Sequence, residues 1–221
     1  MAVELAALLR AETQASHRKV ESSVFMAALM GGRLEKPAYT LLLRNLEPIY
    51  FELEAGLLRH AAHAGIRPLF HTSLRRLKAL HRDLEILHGQ SWREELQLVA
   101  ACSVYVARLQ YLQNFAPELL VAHAYVRYLG DLSGGQQLAG IVVRSLGLPV
   151  HEGGNFGVDF YNFGQPDEVL QLSKAFRTGL DTLACDGIPA EAKLAFELHG
   201  DLFEELARRC GLVAPAVNAS W

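Results

Sequence analysis

The sequence is poor in the features that mark several large classes of protein. Its 221 residues hold three cysteines, Cys102, Cys185 and Cys210. Their number is odd and no CxxC pair occurs, which argues against a disulfide scaffold or a structural zinc site. Basic charge is not in surplus: 21 Lys and Arg stand against 24 Asp and Glu, a net charge of −3. That balance excludes the electrostatic footprint of a nucleic-acid binder or an acidic-membrane binder. No run approaches the roughly 18 apolar residues of a membrane span. The longest candidate, 98–107, contains Ser103. The opening MAVELAALLR has no basic region and no cleavage site, and reads as helix rather than signal peptide. A reduced, cytoplasmic, membrane-free protein is expected, with a monomer as the default.

Apolar residues make up 51 % and charged residues 20 %, a globular balance long enough for one sizeable core over residues 1–221. Helical periodicity dominates, and no alternating strand series occurs. Leu5, Leu9, Thr13, His17, Val20 and Val24 share a face in a first segment that runs to Met30 and stops at Gly31-Gly32. Pro37 opens a second helix whose stripe includes Leu46, Ile49, Tyr50, Leu53 and Leu57. A third carries Leu74 to Leu87, and a fourth runs from about Ser91 to Asn114. Pro117 opens a fifth that continues to Leu146. The glycine-rich stretch from His151 to Pro166 reads as loop, with VDFYNF locally extended at most. A sixth helix covers Asp167 to Leu183, and Pro189 opens a seventh that ends at Gly211. The expected fold is a single-domain all-α bundle of about seven helices.

The fifth helix is anomalous. Gly130, Gly134 and Gly135 fall inside a strong helical pattern, and each glycine costs roughly 1 kcal/mol against alanine in a helix interior. Gly130 and Gly134 are four apart and share a face. A face without side chains lets a flat object approach the backbone, or lets the helix kink. Close helix–helix packing explains the same residues equally well. Leu132 to Gln136 also spell LSGGQ, a signature of transporter ATPases. That motif works with a GxxxxGK[ST] phosphate loop, and no such loop occurs in this chain.

The segment VAHAYVRYLGDLSGGQ, from Val121 to Gln136, resembles the signature of the haem oxygenase family. LRAETQASHRKVE, from Leu9 to Glu21, resembles the segment that carries its proximal histidine, and LEPIY near Tyr50 and AFELHGDLFEEL from Ala195 match in order. The resemblance covers nearly the whole chain. It implies a helical domain with haem b sandwiched between the first, proximal helix and the fifth, distal one. No CxxCH occurs, so the haem would be held without covalent attachment.

By the resemblance, His17 is the axial iron ligand; by spacing alone it is one of nine histidines. Glu21, four residues on, would orient its ring. Asp131 would organise the waters that deliver a proton during oxygen activation, with Arg127 and Tyr50 in the same polar network. The pair Arg127 and Asp131 equally fits an ordinary surface i, i+4 contact. Gly130, Ser133, Gly134 and Gly135 would let the distal backbone sit over the haem. Thr13, Tyr125 and Phe196 are carried over as further haem contacts, with core packing as their other explanation. Arg10, Arg177 and Lys174 would meet the propionates. Here the chain departs from the mammalian-type pattern: Ser173 and Gln14 stand where lysines are expected, and Lys174 lies one position late.

The implied activity is oxidative cleavage of haem by dioxygen and electrons to biliverdin, carbon monoxide and ferrous iron, haem being both cofactor and substrate. No nicotinamide or flavin fingerprint such as GxGxxG occurs, so electrons would come from a separate reductase or ferredoxin. A haem carrier or sensor on the same fold is the alternative.

Overall fold

The computed structural model describes residues 4–151, 154–183 and 187–212; Cys185 lies outside them. Ten α-helices account for most of these residues: α1 Leu5–Glu21, α2 Val24–Met30, α3 Lys36–Arg59, α4 Leu77–His88, α5 Trp92–Glu95, α6 Ala100–Phe115, α7 Leu120–Ala124, α8 Gly130–Leu146, α9 Pro166–Leu180 and α10 Ile188–Arg209. A single antiparallel pairing, β1 Val150–His151 with β2 Gly154–Asn155, is the extended structure among the described residues. No helix among them is long and apolar enough to cross a membrane.

The helices follow the expected pattern, and the differences trace to specific contacts. The first segment is two helices, because consecutive serines compete for the backbone at the junction. Ser22 Oγ donates to the Lys19 carbonyl at 3.1 Å, and Ser23 caps α2 by accepting from the Met26 amide at 3.3 Å. The expected fourth helix is α5 and α6, separated by an extended turn whose Val99 amide is held by buried Asn45 Oδ1 at 2.9 Å. α9 begins with Pro166 in its first turn and a reciprocal Gln165–Glu168 capping box. α8 ends at Gly147, whose φ of +61° favours glycine.

α10 is the central helix. It packs against α1 on one side and against α6 and α7 on another, and it also reaches α2. α3 is held between α4 and α6. Leu9, Tyr39, Ile49, Tyr50, Leu53, Leu109, Phe176 and Leu202 are fully or almost fully buried in the resulting core. The sides of α1 and α8 that do not enter this core are the ones that matter for function.

The expected fifth helix is the most altered. Pro117–Leu119 form a 3₁₀ turn, α7 follows, and Tyr125–Leu129 form a π-helical turn before α8 starts at Gly130. π turns inside helices are rare and concentrate at functional sites. The stretch expected to be at most extended, VDFYNF, instead forms a 3₁₀ turn over Asp159–Tyr161. Its cause is distant in sequence: the buried Asp83 carboxylate on α4 accepts from the Asp159 and Phe160 amides at 2.9 and 2.7 Å.

Candidate functional site

The π turn and the start of α8 place a polar cluster inside the core. Arg127 and Asp131 are both buried, not a surface pair. The Tyr50 hydroxyl, contributed by α3, donates to Asp131 Oδ2. Arg127 Nε donates to the Tyr50 hydroxyl at 3.1 Å, and its Nη2 lies 3.4 Å from Asp131 Oδ1. A third guanidinium nitrogen, Nη1, reaches the ring of His199 on α10. Four side chains from three separate parts of the chain thus meet at one point.

The electrostatics follow from this burial. Loss of water pushes the Asp131 carboxyl above its ordinary range, and Arg127 and the Tyr50 hydroxyl oppose that. Burial alone would lower the Arg127 guanidinium, but Tyr50 and Asp131 outweigh it and hold it firmly charged. The His199 imidazole is driven well below its ordinary value by burial and then by Arg127, so it is neutral at pH 7. A carboxyl group raised towards neutrality inside a hydrogen-bonded cluster has the chemistry of a proton donor or relay.

The cluster is braced from behind. Phe160 meets the Tyr50 ring edge-on, with centroids 5.3 Å apart. Tyr161 touches the backbone at Gly135, where an added Cβ would lie 3.4 Å from its side chain. The turn that Asp83 ties down therefore supports both Tyr50 and the start of α8.

The glycines divide into two groups. Gly135 faces Tyr161 and the protein. A Cβ at Gly130 or Gly134 would meet nothing within 4 Å. Gly130 and Ser133 are exposed and Gly134 is half-buried, so this face of α8 is open although Asp131 beside it is buried.

Thr13 on α1 brings the first helix to the π turn: its hydroxyl lies 3.4 Å from the Tyr125 hydroxyl. His17 is one turn further along the same face of α1. Its side chain is half-exposed and its Nδ1 lies 3.1 Å from Glu21 Oε2. Nε2 has no hydrogen-bond partner among the described residues, so the ring is oriented by one nitrogen and available through the other. The Phe196 ring stands edge-on to it at 5.7 Å.

The expected cations are less uniform. Arg10 is exposed on α1, two turns before His17. On α9, Arg177 Nη1 donates to the buried Ser173 hydroxyl at 2.6 Å, and Asp181 Oδ1, four residues on, accepts from the Ala6 amide at the start of α1 at 2.9 Å. Ser173, Arg177 and Asp181 thus form the row of α9 that runs towards α1. Lys174 lies one residue round the helix. It lines a different, shallow groove of about 450 Å³ with Pro68, His71 and Thr178.

Two parts of the site are not evident from local pattern. His199 lies three residues after Phe196 and four before Phe203, a spacing that fits core packing as well as it fits a pocket. The brace through Asp83 left no local signal, because its carboxylate binds a turn 76 residues away.

A half-exposed imidazole with a free nitrogen, an open glycine face on another helix and exposed arginines nearby suit a flat, iron-bearing, dianionic group. Comparison with known proteins points the same way. The family model described as heme oxygenase matches residues 3–205. The heme oxygenase of Porphyra purpurea is 36 % identical over 211 residues, covering 93 % of this chain and 88 % of that protein. The crystal structure of heme oxygenase-1 from the cyanobacterium Synechocystis, in complex with heme, superposes with a TM-score of 0.85 at 33 % identity and covers 94 % of both chains. That of the heme oxygenase from Leptospira interrogans gives 0.86 at 36 % identity, over 92 % of this chain and all of that one. The fold, the helix order and the sequence agree: this chain belongs to the heme oxygenase family.

Proposed function

We propose that the chain binds haem b, which α1 and α8 would hold between them: His17 would bind the iron, and the Tyr50–Arg127–Asp131 cluster would govern protons from α8. The reaction of the family is the oxidative opening of haem to biliverdin, carbon monoxide and ferrous iron, with dioxygen and reducing electrons. The observation that carries the assignment of residues is the open Gly130–Gly134 face beside a buried Asp131, with a half-exposed His17 on the neighbouring helix.

Each residue has a task that follows from its surroundings. Glu21 holds His17 Nδ1 and so fixes the ring for coordination through Nε2. Phe196 limits the tilt of that ring. Gly130, Ser133 and Gly134 leave room for a macrocycle against the α8 backbone, while Thr13 and Tyr125 set the approach of α1 at one end of the groove. Gly135 closes the other side of α8 against Tyr161. When bound, the haem supplies the iron and the porphyrin carbons on which the oxygen chemistry takes place. Asp131 holds or passes a proton at its carboxyl oxygens, and Arg127 and Tyr50 keep that carboxyl aimed and oppose the upward push of burial on it. Arg10 and Arg177 would meet the propionates; Lys174, in its separate groove, is the weakest of the expected contacts.

The residues assigned to the site come from α1, α3, α8, α9 and α10, which suits a single domain over the whole chain. Cys102 and Cys210 are free thiols, as a reducing compartment requires. We take the enzyme to be cytoplasmic and monomeric, with electrons from a separate reductase or ferredoxin.

Titrating the purified protein with hemin and then adding a reductant in air tests the reading. A saturable one-to-one Soret band that decays to biliverdin absorption supports it. Loss of the band in His17→Ala, and an undecaying band in Asp131→Ala, support the two roles. A Soret band that persists in the unmodified protein under turnover would favour a carrier or sensor instead.

A further inference from the structure

His199 is the one member of the buried cluster that none of the preceding assignments uses. It lies on α10, not on either haem-facing helix, and it is 6 % exposed. Arg127 Nη1 stands 3.2 Å from its Nδ1 and 3.0 Å from its Nε2. The ring is packed against Phe203, with centroids 4.2 Å apart, and Phe203 is stacked in turn on Phe25 of α2. The imidazole is therefore packed on Phe203, and Nη1, nearly equidistant from both ring nitrogens, lies over the face of the His199 ring.

A buried guanidinium must place its donors. Nε is taken by Tyr50 and Nη2 by Asp131. Among the described residues Nη1 has no acceptor but His199. A donor of a charged group left unsatisfied in the core is costly, so without that acceptor the guanidinium would turn or recruit water. A turn about its own plane moves Nε and Nη2 at the same time, because the fork is rigid. The hydrogen bonds to Tyr50 and Asp131 would both suffer.

We propose that His199 is a positioning residue: as an uncharged acceptor it fixes the third arm of the Arg127 fork and thereby aims the other two at Tyr50 and Asp131. The inference rests on the distal role given above to Asp131. Its acceptor must be neutral, since a protonated imidazole would face Arg127 with a second positive charge. Arg127 is the charged group that acts on the ring, and both it and burial oppose protonation.

The test uses the full-length protein without haem, labelled with ¹⁵N and ¹³C, as the unmodified chain and as His199→Asn and His199→Leu. Asparagine keeps a neutral acceptor; leucine keeps the bulk without one. The Arg127 Nε–H resonance and the titration of the Asp131 carboxyl carbon are recorded. In His199→Leu the Nε–H signal broadens or moves and the proton affinity of Asp131 rises roughly tenfold as the guanidinium withdraws. In His199→Asn both readings return to those of the unmodified protein. Thermal unfolding of each variant separates a local change from loss of the fold. Unchanged Arg127 and Asp131 signals in a folded His199→Leu would overturn the proposal, as would an His199→Asn variant that behaves like His199→Leu. Hemin binding by the unmodified protein is a separate measurement. Its failure would reject the haem assignment and leave the clamp on Arg127 standing.

Discussion

Replacing Gly134 by alanine should separate the stability of this protein from its function, and the two effects should have opposite signs. Gly134 lies in the interior of α8, and beyond the neighbouring backbone of its own helix no atom of the described residues lies within 4 Å of an ideal Cβ there. In a helix interior alanine is better than glycine by about 1 kcal/mol. With no clash to offset that gain, the haem-free protein should become more stable by roughly that amount, which for a chain of this length raises Tm by about 2–4 °C. The same methyl group projects into the space we assign to the macrocycle. Hemin affinity should then fall, or the haem should bind displaced from Asp131 and turn over slowly. Differential scanning calorimetry of the haem-free protein, followed by Soret titration and single-turnover spectra of Gly134→Ala, reads both effects. A destabilised haem-free protein would show that the α8 face is not open. A stabilised protein with unchanged hemin affinity and turnover would show that haem does not lie against it.

Four further outcomes are expected. His17→Ala should change the stability of the haem-free protein by no more than about 0.5 kcal/mol, because the ring is half-exposed, while abolishing the Soret shift of the ligated iron. Asp131→Ala should keep hemin binding but slow turnover by roughly 10²–10⁴-fold, the usual range for a lost proton-transfer group, measured by stopped-flow spectroscopy. Asp83→Ala should loosen the Asp159–Tyr161 turn, seen as faster amide exchange at Phe160 and a weakened Tyr50–Asp131 contact, because the two amides lose their acceptor. The fourth concerns acid stability. Burial pushes the Glu191 carboxyl up, but hydrogen bonds from His123 and Arg108 outweigh it and hold the group at about 2 against an ordinary 4.5. Its stabilising contribution, roughly 2 kcal/mol, is therefore complete above pH 4.5 and is lost as pH falls towards 2. Glu191→Gln should remove it, so the difference in unfolding free energy between the two proteins should shrink over that pH window.

Much of this molecule could be read from local pattern. Apolar residues at helical spacing indicated the helices of α3, α4, α9 and α10, because a helix must bury a stripe, and a stripe leaves a period in the sequence. Gly31-Gly32 marked an end for the same local reason. Three glycines inside a helix pointed to a face under special demand, and the resemblance of the segments around Asp131 and His17 to a known family implied haem chemistry.

Local pattern could not place what depends on contacts between distant segments. It did not distinguish Gly130 and Gly134, which face open space, from Gly135, which faces Tyr161. It left Arg127 and Asp131 as a possible surface pair, since i, i+4 spacing is the same whether that side of the helix meets water or core. It gave no sign that Asp83 shapes the turn at Asp159, that the helix carries a π turn at Tyr125–Leu129, or that His199 completes the surroundings of Arg127. Periodicity reports which residues avoid water. Which buried groups meet, and which open face they leave beside them, is decided when α3, α8 and α10 pack, because a hydrogen bond between side chains remote in sequence leaves no period behind.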